Sequence, residues 1–442
     1  MFYFHKYKGV LLLILDTLIL YGVLIGVILV RFHNNFSVDT WSSHLYGFTP
    51  IFLIWILIFF ISHLYETMFT FQPLKIITSL GRISVINLFL SILYFYTLPF
   101  TNLTPKTNLI LVWSFSSLFI LLNHIWISLI LKRQKPLNTI LISQSKDIQE
   151  LITTLKNNPQ LGYNIIDIIN TDEDCWKLER IINSQNVQII IIDKSFQTNE
   201  IKKILFESLL NKIQIIDFID FYESILNKTP LSLLDNPEFL SHLEDRSYQL
   251  IEPFKRFIDI FFGIIIFLIT FPLWFILAAL ILIDKIGPIF YFGKRIGKNH
   301  KPFYLIKFRS MIPNASNLGP GWTLPNDQRI TKIGKFLRKS YLDELPEILN
   351  VLKGDLSLVG PRPEEAKLVV DFEKEIPFYN VRHIVKPGIT GWAQIHYPNS
   401  FSIEGTKEKL QYDLYYLRHY SIWLDFLIIL KTLHIPMDIK TH

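Results

Sequence analysis

The 442-residue chain contains one cysteine, Cys175, and only 19% charged residues. A lone thiol excludes a disulfide framework and any metal or iron–sulfur centre built from several cysteines. Charge falls short of the about 25% of an ordinary soluble domain, while 50% of the residues are hydrophobic. Disorder, which needs high charge and low hydrophobicity, is thereby excluded. So is a wholly soluble chain, because several apolar runs lack the charges that would keep them out of a bilayer. The net charge of +6 suits nucleic acid or an anionic membrane face. A mean hydropathy of +0.31 favours the membrane, and no nucleic-acid partner is expected. The length is that of about three domains.

Four apolar runs open the chain, near 10–30, 47–65, 83–100 and 108–131. Each reaches the about 20 residues needed to cross the hydrocarbon. The first is too long for the core of a signal peptide, and no small-residue cleavage site follows it. Lys6 and Lys8 precede it, Lys75 and Arg82 lie in the second connection, and Lys132, Arg133 and Lys135 follow the fourth run. The other two connections hold few basic residues. The positive-inside rule therefore makes the N-terminus and everything after residue 132 cytoplasmic. Residues 1–135 are expected to form a membrane α-helical bundle of four transmembrane helices, an anchor with no chemistry of its own. Asp16 is an ionisable exception for which the sequence offers no role.

Residues 136–250 change character. The pattern predicts strands at Asn138–Ser143, Tyr163–Asn170, Val187–Asp193 and Ile213–Phe218, with helices at Asp147–Asn157, Trp176–Asn186 and Asn199–Leu210 between them. Such alternation implies a parallel sheet with crossover helices, a Rossmann-like α/β domain. Its first strand-to-helix turn, Ser143-Gln144-Ser145-Lys146-Asp147, lacks the glycines that let a backbone approach a dinucleotide pyrophosphate. A structural or regulatory spacer without bound nucleotide is expected.

Phe257–Ile283 is again long enough to span. Spanning would carry the basic region behind it across the membrane, against the charge rule. Pro272, near its middle, removes a helical hydrogen bond. A helix broken there, covering about 255–284, can enter the cytoplasmic leaflet and leave on the same side; a kinked fifth span is the alternative.

From Lys285 to Asn326 the sequence has no acidic residue. Lys294, Arg295, Lys298, Lys301, Lys307 and Arg309 there form either a face drawn to anionic lipid or a phosphate site. Lys307-Phe308-Arg309 alternates as on a strand with both charges on one face. Further on stands Arg338, then Asp343-Glu344-Leu345-Pro346 at the start of a helix whose apolar stripe is Leu345, Ile348, Leu349 and Leu352, and whose stop is Gly354. Paired carboxylates at a helix N-terminus are held ionised. They read either as plain capping or as a nucleophile on phosphorus beside a Mg²⁺ ligand. Two rigid Pro/Gly turns follow, Val359-Gly360-Pro361-Arg362-Pro363 and Lys386-Pro387-Gly388-Ile389-Thr390-Gly391, with Arg382 between them. Together they describe a preorganised anion site.

These motifs over about 250–435 resemble the bacterial polyprenyl-phosphate sugar-1-phosphate transferases, the monotopic phosphoglycosyl transferases, and the preceding regions resemble the family's large form. The resemblance carries Lys307-Phe308-Arg309-Ser310-Met311, Arg338, Leu342–Pro346, Gly354–Pro363 and Pro387–Gly391. It implies an α/β monotopic catalytic domain over 251–442 with a re-entrant membrane helix in which Pro272 is structural, as are Pro361 and Pro363. Asp343 would be the nucleophile, and Asp343 and Glu344 would hold Mg²⁺. Lys307, Arg309, Arg338, Arg362, Arg382 and Asp425 would bind substrate or set the site's geometry. Tyr415–Leu433 would be a helix lying on the membrane with Trp423 at headgroup depth. The implied reaction moves a sugar-1-phosphate from a UDP-sugar to undecaprenyl phosphate at the cytoplasmic face of the bacterial inner membrane. UMP leaves, and an aspartyl–phosphosugar lies on the path. A homodimer is expected from the same source. Rival readings are a glycosyl transferase that releases UDP and a non-catalytic export scaffold. Two positions depart from the family pattern: His396-Tyr397-Pro398 follows Gln394 where many members carry an arginine, and Phe271-Pro272 replaces the Ser-Pro of short members.

Overall fold

The computed structural model of the chain describes residues 2–33, 37–62, 64–65, 73–97, 106–132, 135–170, 175–193, 198–233, 247–284, 287–313, 315, 327–397 and 402–432. Arg133, Lys285, Leu433 and the segment 316–326 lie outside the described residues. The chain divides into two compact units, Met1–Gln144 with Ile148–Phe218, and Ser145–Asp147 with Ile219–His442. The second begins well before residue 250, where the sequence pattern drew its border.

In the first unit the four apolar runs form α1 (Phe2–Arg31), α2 (Val38–Ile61), α3 (Pro73–Thr97) and α4 (Lys106–Lys132), each long and apolar enough to cross a membrane. Helix is the conformation that satisfies every backbone polar group within one segment, as an apolar surrounding demands. α1 packs on α2 and α4, and α3 on α2 and α4, around a buried aromatic file of Phe48, Phe52 and Trp55. Asp16 is fully buried and accepts hydrogen bonds from Asn123 (3.0 Å) and His124 (2.9 Å). The residue without a role in the sequence is thus a polar tie between α1 and α4.

Behind α4 come β1 (Leu137–Ile142), α5 (Ile148–Asn157), β2 (Tyr163–Ile169), α6 (Cys175–Ser184), β3 (Ile189–Ile192), α7 (Asn199–Leu210) and β4 (Gln214–Asp217). All strand pairs are parallel, in the order β2-β1-β3-β4. The four isoleucines of β3 are buried, as suits a strand covered on both faces. Expected and observed elements agree here to within two residues at each end, and α7 coincides.

The second unit opens with α8 (Phe218–Leu226) and the long α9 (Ser247–Asp284), which keeps its helical pattern through Pro253 and Pro272. No break in the helix appears at Pro272. The Thr270 hydroxyl donates to the carbonyls of Ile266 (2.8 Å) and Phe267 (3.4 Å), while the carbonyl that Pro272 leaves without its helical donor is that of Leu268. Both ends of α9 are bonded to the same unit. On the first half, Arg256 donates to the carbonyls of Val351 (2.6 Å) and Leu352 (2.7 Å), and Asp259 accepts from the Leu358 N–H (2.9 Å) and the Ser357 hydroxyl (3.0 Å). At the far end, Asp284 accepts from the Ile333 N–H (3.1 Å), and Trp274 packs edge-on against Phe308. Between these anchors Phe261, Ile265, Leu268, Ile269 and Phe275 are exposed.

The rest of the unit is a small α/β body. It comprises the antiparallel pair β5 (Phe290–Ile296) and β6 (Pro302–Phe308), then α10 (Lys332–Lys339), α11 (Glu347–Lys353), β7 (Ser357–Val359), α12 (Ala366–Glu375), β8 (Gly388–Thr390), α13 (Trp392–His396), α14 (Ile403–Arg418) and α15 (Ile422–Thr432). β7 and β8 pair in parallel. They approach so closely that a Cβ on Gly388 would lie 2.1 Å from the Gly360 nitrogen; the Pro/Gly turns are therefore packing requirements as much as chemistry. The single surface helix expected over 415–433 is two helices, parted at His419–Ser421. Trp423 and Phe426 on α15 are exposed.

Candidate active site

Three segments bring charge together. β6 delivers Lys307 near its end. A 3₁₀ turn, Leu342–Glu344, holds Asp343 and Glu344, and α11 starts just beyond with Glu347. Asp343 and Glu344 therefore occupy a turn ahead of the helix rather than its first turn, and Pro346 is the N-cap. Gly354, with φ +100°, ends α11 in the left-handed conformation that glycine adopts without penalty. The side chain of Asn350 locks α11 to the strand: it donates to the Tyr304 carbonyl (2.8 Å) and accepts from the Ile306 N–H (3.0 Å). Lys307 is thereby fixed over the carboxylates.

Lys307 Nζ lies 2.7 Å from Glu344 Oε1 and 3.0 Å from Glu347 Oε1. Arg362, in the turn after β7, reaches the same Glu344 oxygen at 2.5 Å. Burial pushes the Glu344 carboxyl up, but Arg362 and Lys307 outweigh it and hold the group well below the usual carboxylate range. Glu347 is the opposite case: its burial outweighs Lys307, with Glu344 adding repulsion, and its pKa is raised.

Asp343 is 6% exposed and differs from both. The hydroxyl of Ser310 stands 3.5 Å from its Oδ2, a distance at which little hydrogen-bond energy remains. Ser310 is itself held by Arg338 Nε at 3.0 Å. Burial raises the Asp343 pKa; Lys307 and Arg338 oppose and Glu344 adds to the rise. Arg338 is brought in by α10, whose first turn lies against Ser310: a Cβ on Gly334 would sit 1.9 Å from the Ser310 carbonyl oxygen. The site is thus a desolvated, loosely held carboxylate flanked by a fully neutralised one and a ring of cations.

Comparison with known proteins bears on what such a site belongs to. The family described as bacterial sugar transferase matches residues 250–438. The uncharacterized sugar transferase EpsL of Bacillus subtilis is 41% identical over 182 residues, which cover 84% of its length and 40% of this chain. The chain belongs to the bacterial sugar transferase family. The UDP-N-acetylgalactosamine-undecaprenyl-phosphate N-acetylgalactosaminephosphotransferase of Aeromonas hydrophila is 38% identical over 53% of this chain, which spans about half of that relative's length (55%). The galactosyl transferase CpsE of Streptococcus agalactiae is 28% identical over 88% of this chain and 92% of its own.

Within this sugar transferase fold the remaining singled-out residues do not converge on Asp343. Arg309 donates to the carbonyl of Ile281 (3.1 Å) near the end of α9, so Lys307 and Arg309 serve different partners rather than one phosphate face. Arg382 is 3% exposed. It is engaged by Asp413 (2.8 Å) and the Tyr379 hydroxyl (2.5 Å), and donates to the Arg362 carbonyl at 2.9 Å. It props the Arg362 turn from behind. Asp425 is bonded by Lys255 and by the Tyr416 hydroxyl (2.7 Å), tying α15 to α9. Pro361 and Pro363 are buried on either side of Arg362, while Pro272 is exposed. The basic stretch is also partly neutralised, Arg295 by Glu365 (3.1 Å) and Lys298 by Glu252 (2.6 Å).

Sequence reasoning missed Glu347 and Asp413, and it quoted Ser310 within a motif without giving it a role. The first had a signal: Glu344 and Glu347 are three apart and share a helical face. Asp413 had none, being a partner supplied by a distant helix.

Proposed function

We propose that the protein transfers a sugar-1-phosphate from a UDP-sugar to undecaprenyl phosphate, the initiating step of a bacterial surface glycan. The observation that carries this reading is the contrast between Asp343, buried and met among the described side chains only by the Ser310 hydroxyl at 3.5 Å, and Glu344, fixed by Lys307 and Arg362. Desolvation and a raised pKa favour nucleophilic attack once the carboxylate is ionised. Asp343 attacks the sugar-proximal phosphorus of the donor, a new P–O bond forms, and the bond to the UMP phosphate breaks. UMP leaves with the electron pair. The phosphate oxygen of the lipid then attacks the same phosphorus, freeing the Asp343 carboxylate and giving undecaprenyl-diphosphate-sugar. Arg338 and Lys307 stand beside Asp343 as donors for charge that develops on the transferring phosphoryl group.

Magnesium fits the donor set. Both cations that hold Glu344 bind its Oε1, and its Oε2 takes no hydrogen bond among the described residues. That oxygen and those of Asp343 are hard donors of the kind Mg²⁺ accepts, with substrate phosphates completing its shell. Bound there, the ion would neutralise negative charge on the donor diphosphate.

The two-ended attachment of α9 to one body supports the re-entrant topology over a fifth span, since the ends of a span lie on opposite faces. The helix would return by bending at Pro272, which kinks an axis without ending the helical pattern. The exposed apolar residues between the anchors, with Trp423 and Phe426, would then sit in the cytoplasmic leaflet and keep the site at headgroup level. A lipid acceptor and a soluble donor can meet there. The parallel α/β domain, with no glycine at its first turn, is read as a spacer. The names of the Aeromonas enzyme and other relatives support the donor and acceptor classes, and the sugar is left open. The test is a panel of UDP-sugars with undecaprenyl phosphate, scored for nucleotide product. UMP release with one or two donors is expected. UDP release would sink the reading, and so would product formation by Asp343→Asn.

A further inference from the structure

Away from the carboxylates, three potential metal ligands from separate elements meet: His300 in the turn between β5 and β6, Glu373 on α12, and His383 in the 3₁₀ turn Tyr379–Ile384. Their ligating atoms all lie within 4.8 Å of one another. His300 Nε2 is 3.3 Å from His383 Nδ1 and 3.5 Å from Glu373 Oε1. A tetrahedral zinc with its usual bond lengths places neighbouring ligand atoms about 3.3–3.5 Å apart, so two edges of such a polyhedron already have the right length.

The alternative is a simple hydrogen bond between the rings, and it leaves a conflict. One ring nitrogen of His300 faces both an imidazole nitrogen and a carboxylate oxygen, yet it can offer only one proton or one lone pair. A cation among the three atoms satisfies all of them at once. The backbone also bears a cost here: Asn299 and His300 have φ of 54° and 59°, the left-handed region that glycine occupies more readily.

We propose that His300, Glu373 and His383 form a zinc-class divalent cation site, separate from the Asp343–Glu344 carboxylates. Two imidazoles and a carboxylate, with no thiolate, suit zinc over magnesium, because borderline nitrogen donors bind late first-row metals far more strongly. His300 and Glu373 are exposed at the surface and His383 is buried beneath them, which leaves a fourth position open to water. The site clamps β5–β6, α12 and the Arg382 turn together. Arg382 in turn holds the Arg362 carbonyl, so an occupied site braces the backbone of the arginine that neutralises Glu344.

The experiment uses the full-length chain in detergent, stripped with chelator and titrated with Zn²⁺ alone at constant Mg²⁺ against a chromophoric competitor. One zinc per chain at micromolar affinity or tighter is expected. His300→Gly, which suits the left-handed backbone, and Glu373→Gln should each weaken it by about tenfold or more, since even outer-shell losses cost that much. Zn²⁺ should raise the Tm of the parent and not of His300→Gly, and Co²⁺ should give tetrahedral visible bands that His300→Gly abolishes. Equal zinc stoichiometry and affinity in parent and His300→Gly would assign the metal elsewhere and overturn the proposal. Failure of the parent to retain zinc at micromolar concentration would reduce the cluster to a hydrogen bond. Both results are read without any activity assay, so they stand apart from the fate of the transferase reading.

Discussion

Asp343 and Asp425 are buried to nearly the same degree, 6% and 9% exposed, and their surroundings have opposite logic. Asp425 is held by an ammonium and a phenol hydroxyl, and its charge is spent on joining two helices. Asp343 has a hydroxyl at 3.5 Å, with its cations engaged mainly by neighbours. Burial costs a carboxylate several kcal/mol unless partners compensate. Burial raises the pKa of both groups. Asp425 nonetheless has two bonded side-chain partners, whereas Asp343 has only the distant Ser310 hydroxyl among the described side chains. A desolvated carboxylate left short of partners is what a structure retains for chemistry.

The largest expected effect follows from that asymmetry. Asp343→Asn should abolish transfer, by about 10³-fold or more, because no other carboxylate is free to take over as nucleophile. The same substitution removes a desolvated charge left short of partners, so the fold should gain stability. Asp425→Asn should do the reverse. It leaves the Lys255 ammonium buried without its counter-charge, at a cost of about 3 kcal/mol or more, while any folded fraction keeps transferring sugar. Thermal melts and single-turnover UMP release on both variants make the check. Two melts shifted in the same direction would erase the distinction drawn here.

Next in size, Arg362→Ala should slow transfer by about 10²-fold, and Arg382→Lys by less. Arg362 neutralises Glu344 directly, and Arg382 acts only through the Arg362 carbonyl and Asp413. If Arg382→Lys proved as damaging to turnover as Arg362→Ala in a stably folded protein, Arg382 would have to meet substrate after all.

How much of this was legible in sequence depends on the range of the interaction. The β1–β4 region was readable to within two residues of its element ends because runs such as Ile189–Ile192 are apolar throughout and bounded by polar residues, a purely local signal. Lys307, Glu344, Arg338 and Arg362 stood out as charges in rigid motifs, and the structure gathers them around Asp343. Arg309, Arg382 and Asp425 were equally conspicuous, but their partners are the Ile281 carbonyl, Asp413 and Lys255, and no spacing rule announces these. The same limit hid the His300–Glu373–His383 cluster, whose members lie on three elements. α9 is a local failure instead: Pro272 signals a helix end, and the helical pattern continues through it.

The finest test of the comparison is pH. The folded pKa of Asp343 lies above its unfolded value of about 3.9, so between the two the native state binds the extra proton. Stability contributed by that protonation is present at the acid end of the window and lost as pH rises through the folded pKa. Turnover should run the other way, falling about tenfold per pH unit below the folded pKa as the nucleophile is protonated. Glu344, held low by Arg362 and Lys307, stays ionised across the same window and does not supply the acid limb. Glu347 is raised as well, so the response to Arg338→Gln is what assigns the limb to Asp343. A rate that stays flat down to the ordinary carboxylate range would mean that Asp343 is not desolvated in the working enzyme. A limb that persists unchanged in Arg338→Gln would mean that Arg338, whose charge opposes the rise, does not reach Asp343. Its removal should move the limb to higher pH, because a cation beside a carboxylate always favours the ionised form.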